Sequence, residues 1–268
     1  MTLETTGLGA GDLDSREDGR LRKLAIVPAY NEEGSVGRVV ADIRQRAPGF
    51  DVLVVDDGST DATAREAEAA GATLLQHPFN LGIGGAVQSG FKYAARHGYD
   101  IAVQVDGDGQ HDPGYLTKLL DALCNTPGTD MVCGTRFRER TGYRAPLARR
   151  VGMIVFSIVL SAITRQRITD PTSGFRMANR RGIELFARDY PHDYPEVEAI
   201  LMIHAHRLRL LEVPVEMSQR DSGRSSIGKG HSVYYMIKVL LAILVGLFRG
   251  RVAVEPGEDA PVSAQRSI

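Results

Sequence analysis

The sequence predicts an α/β fold, with a mainly parallel central sheet and helices on both faces. Two observations carry this. Short apolar runs alternate with helical stretches over about the first hundred residues, and three of those runs stop abruptly at Pro or Asp. Leu24-Ala25-Ile26-Val27 reads as a first strand ended by Pro28, and Asn31-Glu32-Glu33 opens a helix to about Arg46. Val36, Val39, Val40 and Ile43 share one face of that helix. Val52-Leu53-Val54-Val55 is a second strand, halted by Asp56-Asp57-Gly58-Ser59. A helix over Asp61 to Ala70, a third strand at Thr73-Leu74-Leu75 and a helix over Ile83 to His97 follow. Ile101 to Val105 is a fourth strand. Ligands of such sheets sit at the carboxyl ends of the strands. Pro28-Ala29-Tyr30, Asp56-Asp57 and Asp106-Gly107-Asp108 are therefore expected to converge on one cleft.

Composition bounds the rest. The 268 residues suffice for a substantial core, and 43% hydrophobic with 24% charged residues is ordinary for a globular chain. A net charge of −1 makes no case for nucleic acid as a partner. Cys124 and Cys133 are spaced like neither a zinc site nor a redox pair, so a reducing, cytoplasmic setting is expected. Residues 1–20 lack an apolar leader and read as a disordered tail, as do residues 249–268. A single folded domain is expected over residues 21–248.

Asp106-Gly107-Asp108-Gly109-Gln110-His111 is the most chemical stretch. In isolation, a D-x-D is more often an Asp/Gly turn. At a strand end beside the Pro28 and Asp57 loops, two carboxylates one residue apart suit a cation held against a diphosphate. Mg2+ or Mn2+ fits such hard oxygen donors. An EF-hand is excluded, because His111 and Thr117 stand where Gly and Glu are needed. The glycines at Gly82, Gly84 and Gly85 form neither a dinucleotide fingerprint, since Val87 replaces its last Gly, nor a Walker A loop. Close packing of a helix start beside the sheet is their expected role, with a part in shaping the cleft as the alternative.

Val27-Pro28-Ala29-Tyr30-Asn31-Glu32-Glu33, Val54-Val55-Asp56-Asp57-Gly58-Ser59-Thr60-Asp61 and Asp106 to Pro113 occur in that order. Gly134-Thr135-Arg136-Phe137 and Thr169 to Arg176 follow them. Together they resemble the successive signatures of family 2 glycosyltransferases, in the branch of dolichyl-phosphate mannosyltransferase and polyprenyl-phosphate glycosyltransferases. The resemblance runs from about Leu24 to Ile243. It implies a GT-A (Rossmann-like) nucleotide-sugar-binding fold and inverting transfer of a hexose from a UDP- or GDP-linked donor. Pro28, Tyr30 and Glu32 match positions bordering the base and ribose, and Val55 and Asp57 match a pair contacting the base. Asp106, Asp108 and Gln110 match the metal-binding set, with Gly107 against the donor. Arg136 matches an arginine near the donor phosphates and acceptor, and Arg220 matches one in a phosphate-binding loop. Ser226 replaces a lysine of the family pattern, leaving Arg224 or Lys229 as substitutes.

Glu196 and Glu198 match the family's acidic pair. A hydroxyl acceptor would need one of them as a general base, whereas an anionic lipid phosphate needs no strong base. Read from the residues alone, both are helix-start acids favoured by the dipole. His204 and His206 are expected to be structural, and His111 to border the cleft. Asp170 is expected to cap a helix or to pair with Arg176. Val151 to Ile163 and Ser232 to Phe248 are apolar and fall short of the ~20 residues that span a bilayer. Arg149, Arg150, Arg165, Arg167, Lys229, Arg249 and Arg251 flank them. They suit either helices at an anionic membrane surface, the second as a C-terminal amphipathic helix, or buried helices. The expected acceptor is polyprenyl phosphate, reached peripherally at the cytoplasmic membrane face or through a membrane-protein partner. A saccharide or small-molecule hydroxyl is the alternative. An inactive nucleotide-sugar-binding subunit of a membrane complex is a further one.

Overall fold

A computed structural model describes residues 20–136, 147–192 and 194–217, with side chains left out for residues 147–152. The tails, Arg220, Arg224, Ser226, Lys229 and the C-terminal apolar helix lie outside the described residues. The chain runs β1 (Lys23–Ala29), α1 (Val36–Arg46), β2 (Asp51–Asp56), α2 (Thr63–Ala69), β3 (Thr73–Gln76), α3 (Gly82–Arg96) and β4 (Ile101–Gln104). A short 3-10 turn at Pro113–Tyr115 leads into α4 (Leu116–Asn125) and β5 (Met131–Thr135). Then come α5 (Leu147–Thr164), β6 (Arg176–Asn179), α6 (Arg180–Arg188), α7 (Pro195–Ala205) and β7 (Leu210–Pro214).

The four strands and three helices expected from periodicity are all present. The sheet order is β3-β2-β1-β4-β6-β5-β7. Every pairing is parallel except those of β6, which runs antiparallel to both β4 and β5. Side chains alternate across the sheet, so Leu24, Ile26, Leu53 and Val55 face one core and Ala25, Val27, Val52 and Val54 the other. Helices α3, α5, α6 and α7 cover the first face, and α1, α2 and α4 the second. Val36, Val39, Val40 and Ile43 are the buried stripe of α1.

The first helix starts at Val36, five residues later than its sequence suggests. Asn31 at φ 53 and Gly34 at φ 82 are left-handed, which no helix start accommodates. The intervening loop is used otherwise: the Asn31 amide donates to Ser59 Oγ, and Thr60 and Ala62 amides donate to the side chains of Asn31 and Glu33. The loops after β1 and β2 are thereby stitched together.

Helix α3 lies hard against the sheet because its glycines carry no side chain. A Cβ at Gly90 would sit 2.2 Å from Ile26 Cγ2, and one at Gly84 would sit 2.4 Å from the Pro191 carbonyl oxygen. Of the glycines at the helix start, Gly84 packs against the loop at Pro191 and His192 rather than against the sheet, and the sheet contact is made by Gly90, one turn and more further on. Among the described residues, no helix is long and apolar enough to cross a membrane. Gly90→Ala should overpack the α3–β1 contact and destabilise the fold by about 1–3 kcal/mol. A lowered urea midpoint at unchanged slope checks this.

Candidate active site

The parallel register brings three strand ends level. Pro28 and Ala29 pair with Val55 and Asp56, and the Asp57 amide donates to the Ala29 carbonyl at 2.8 Å. On the other side of β1, the Val105 amide donates to the Ile26 carbonyl at 2.9 Å, so the Asp106 loop emerges beside Pro28. A Cβ on Gly107 would lie 3.1 Å from the Pro28 carbonyl oxygen, so glycine lets this loop cross closely without a tight contact. The three motifs therefore share one cleft, as the sheet argument requires. Pro28 and Val55 are buried in its floor, Glu32 is half-buried, and Tyr30 is exposed at the rim.

Asp57 is buried and accepts three hydrogen bonds. Oδ1 takes the Leu81 amide at 2.9 Å and lies 2.7 Å from His77 Nδ1, and Oδ2 takes the Gly82 amide at 2.8 Å. Asp56 is buried too, taking the Ser59 amide and Gln76 Nε2. Asp57 thus anchors the start of α3 to the end of β2.

The Asp106 turn is held from inside. The Asp106 amide donates to His111 Nδ1 at 3.0 Å, and Gln104 Nε2 donates to Asp106 Oδ1 at 2.9 Å. Asp108 Oδ1 accepts the Gln110 amide at 3.0 Å. His111 is buried and stacks on Phe175 with ring centroids 4.8 Å apart, so its place is beneath the turn. Its backbone also bridges to Met217, which brings the chain leading toward Arg220 alongside this turn. Asp106 keeps about a third of its side chain (32%) exposed to the cleft. Across from it, Gly174 leaves room that a Cβ would fill 3.4 Å from both carboxylate oxygens. Among the described residues, no trio of His, Cys, Asp or Glu converges on one point. Two carboxylates and a carboxamide are a fitting donor set for Mg2+ or Mn2+, which take one or two carboxylates and leave other positions to phosphates.

Arg136 and Asp170 form the other wall. Arg136 Nε and Nη2 donate to the two Asp170 oxygens at 2.7 and 2.8 Å, Nη2 also reaches Thr172, and the Arg136 amide donates to Asp170 Oδ2. Asp170 is fully buried. This corrects both expectations for Asp170: its partner is Arg136 rather than Arg176, and it caps no helix. Asn179 caps α6 instead. Glu212 on β7 holds the Asp170 loop, accepting the Thr169 and Asp170 amides and the Thr169 hydroxyl.

Arg176 serves a different end. Its guanidinium donates to the carbonyls of Ser173, Pro195 and Glu196, fastening the start of α7 to β6. Glu196 and Glu198 occupy that first turn. Burial raises the Glu196 carboxyl above the ordinary glutamate range, with Arg176 opposing the shift; the Asp106 charge also raises it and Arg136 lowers it. Glu196 therefore stands within the fields of both cleft walls. His204 and His206 are exposed at the far end of α7, away from the cleft. Sequence reasoning passed over Gln104, Glu212, His77 and Ser89, none of which belongs to a short catalytic pattern. The signal for Glu212 was a lone acid inside the apolar run Leu210 to Val215.

Comparison with known proteins agrees with this geometry. Residues 24–186 match the family described as Glycosyl transferase family 2. The undecaprenyl-phosphate mannosyltransferase of Micrococcus luteus is 32% identical over 220 residues, covering 78% of this chain and 89% of that protein. The UDP-N-acetylglucosamine–dolichyl-phosphate N-acetylglucosaminyltransferase of Methanococcus voltae is 27% identical, covering 82% and 94%. In fold, the chain is similar to glucosyl-3-phosphoglycerate synthase from Mycobacterium tuberculosis, solved in complex with Mn2+, UDP and phosphoglyceric acid. The TM-score is 0.64 at 22% identity, over 87% of this chain and 80% of that one. The chain belongs to glycosyl transferase family 2 and is a glycosyltransferase with the GT-A fold.

Proposed function

We propose that this protein transfers a hexose, with inversion, from a UDP- or GDP-linked donor to a polyprenyl phosphate. The convergence of Asp57, the Asp106–Asp108 turn and the Arg136 wall on one cleft carries this reading. In it, Asp57 and Val55 meet the base, and Pro28, Tyr30 and Glu32 border the base and ribose. Asp106, Asp108 and Gln110 hold Mg2+ or Mn2+, with Gly107 against the donor. The bound ion offsets the charge that develops on the departing diphosphate. Arg136, kept rigid by Asp170, adds fixed positive charge beside it, and Arg220 supplies another cation.

The two named relatives share a lipid-phosphate acceptor and differ in the sugar, which supports the acceptor class across the branch. Helix α5 supports access to lipid. Met153, Phe156 and Leu160 face the core, whereas Ile154 and Ile158, 51% and 63% exposed, lie on its outer side. Arg165 and Arg167 are exposed just past its end. An apolar helix face beside basic residues suits an anionic bilayer surface at the cytoplasmic side. A second reading is favoured by Glu196. A raised carboxyl near the reacting centre is suited to take a proton from a saccharide hydroxyl, whereas a phosphate acceptor is already anionic.

Labelled UDP- and GDP-sugars incubated with polyprenyl phosphate and Mn2+ should yield an organic-extractable, acid-labile product. Label appearing only in a water-soluble saccharide would establish the second reading instead. Asp108→Ala should lower transfer by at least about 100-fold while the protein stays folded, and full activity in that variant would remove the metal role.

Ile154→Ser/Ile158→Ser should weaken sedimentation with anionic vesicles by about tenfold or more without loss of fold. Unchanged vesicle binding would detach α5 from the lipid.

Glu196 also sets a pH dependence. Its folded pKa lies above its unfolded value, so the ionised form is disfavoured in the fold. The resulting loss of stability is absent below the unfolded pKa, grows as pH rises through the folded one, and then stays constant. Glu196→Gln should therefore raise the melting temperature of the metal-free protein at pH 8 and leave it little changed at pH 4.

A further inference from the structure

Beside the cleft lies a buried hydrogen-bonded chain that the reaction itself does not use. His77, just past the end of β3, places Nδ1 2.7 Å from Asp57 Oδ1 and Nε2 2.9 Å from the hydroxyl of Ser89, on α3. The His77 and Asp57 side chains are only 8% and 4% exposed. A carboxylate only accepts, so Nδ1 carries the proton, and in the neutral ring Nε2 then accepts from the Ser89 hydroxyl. With the ring neutral the chain runs one way, from Ser89 through His77 to Asp57.

Its effect appears in the lone pairs of Asp57. Each carboxylate oxygen accepts about two hydrogen bonds. Oδ1 is filled by His77 and the Leu81 amide, whereas Oδ2 takes only the Gly82 amide among the described residues. The two amides come from adjacent residues of one loop and do not by themselves settle which oxygen stays available. His77 settles it, because it approaches Oδ1 from β3 and is held there by Ser89.

We propose that His77, oriented by Ser89, is a positioning residue that fixes Asp57 with one open acceptor on Oδ2. It thereby makes the site select bases that present a ring N–H. Uracil N3 and guanine N1 are such donors, whereas cytosine N3 and adenine N1 are bare acceptors whose lone pairs oppose the carboxylate. This rests on the reading of Asp57 as the residue that meets the base.

Calorimetric titration of the full chain in Mn2+ with UDP, GDP, CDP, ADP and inorganic pyrophosphate tests it. The wild type should favour UDP or GDP, and equal binding of all four nucleotides would overturn the role of Asp57 and the inference with it. His77→Ala should bind the preferred nucleotide about tenfold more weakly and pyrophosphate as before. The donor KM should rise similarly at nearly unchanged kcat. His77→Asn, whose amide can donate from the place of Nδ1, should recover most of the affinity. A wild-type preference that persists in His77→Ala would overturn the inference and leave the Asp57 reading standing, and so would an equal loss for pyrophosphate. Ser89→Ala, the milder change, should lose affinity severalfold for the nucleotide alone. It decides the matter if His77→Ala does not fold, and wild-type nucleotide affinity in Ser89→Ala would then reject the chain.

Discussion

The paired charges of Arg136 and Asp170 are the interaction on which one wall of the site depends. Asp170 is fully buried, and its two oxygens take the Arg136 guanidinium in a fork, the geometry in which arginine binds carboxylate most strongly. Removing one partner of such a buried pair typically costs about 3–5 kcal/mol, because the other charge is left without a partner in a dry site. The loop that carries Asp170 has no regular structure of its own. It is held by Glu212, a second buried carboxylate, through two amides and a hydroxyl. Strands β5 and β7 are thus joined twice, once by their parallel ladder and once through this loop. The result of burying so much charge is an arginine whose side chain is held in one place.

The opposite wall uses a different device. There the backbone ladder of β1, β2 and β4 levels the strand ends, and small residues let the loops touch. Gly107 crosses over Pro28, Gly90 lets α3 settle onto the sheet, and Gly84 lets the Pro191 loop close over the start of α3. Asp57 then ties the start of α3 to the end of β2. Charge sets the position of one wall and close packing sets that of the other.

This difference explains what was readable in advance. Strands β1 to β4 and helices α1 to α3 follow hydrophobic periodicity, so seven elements and the convergence of three motifs were legible from residues alone. Strands β5 to β7 were not. Arg176 and Asn179 bound the four-residue β6, and Glu212 interrupts β7, so polar residues sit where an apolar pattern would be sought. They are tolerated because their partners lie far along the chain: Asp130 for Asn179, and Thr169 for Glu212. The same distance misdirected the expectation for Asp170. Arg176, six residues away, was the nearer candidate, but the partner is Arg136, 34 residues back. Local spacing measures helical and turn contacts, whereas an ion pair across two strands depends on topology.

Glu196 is where the two walls meet. A helix start favours an ionised glutamate, and Arg176 beside it acts in the same sense, yet burial outweighs both and the carboxyl is raised. Arg176 is the strongest influence opposing burial, and its donors also hold three backbone carbonyls. Those bonds fix the position of α7, while the guanidinium field only moderates the carboxyl. Asp106 raises Glu196 further and Arg136 lowers it, so the two walls act on this one carboxyl in opposite senses.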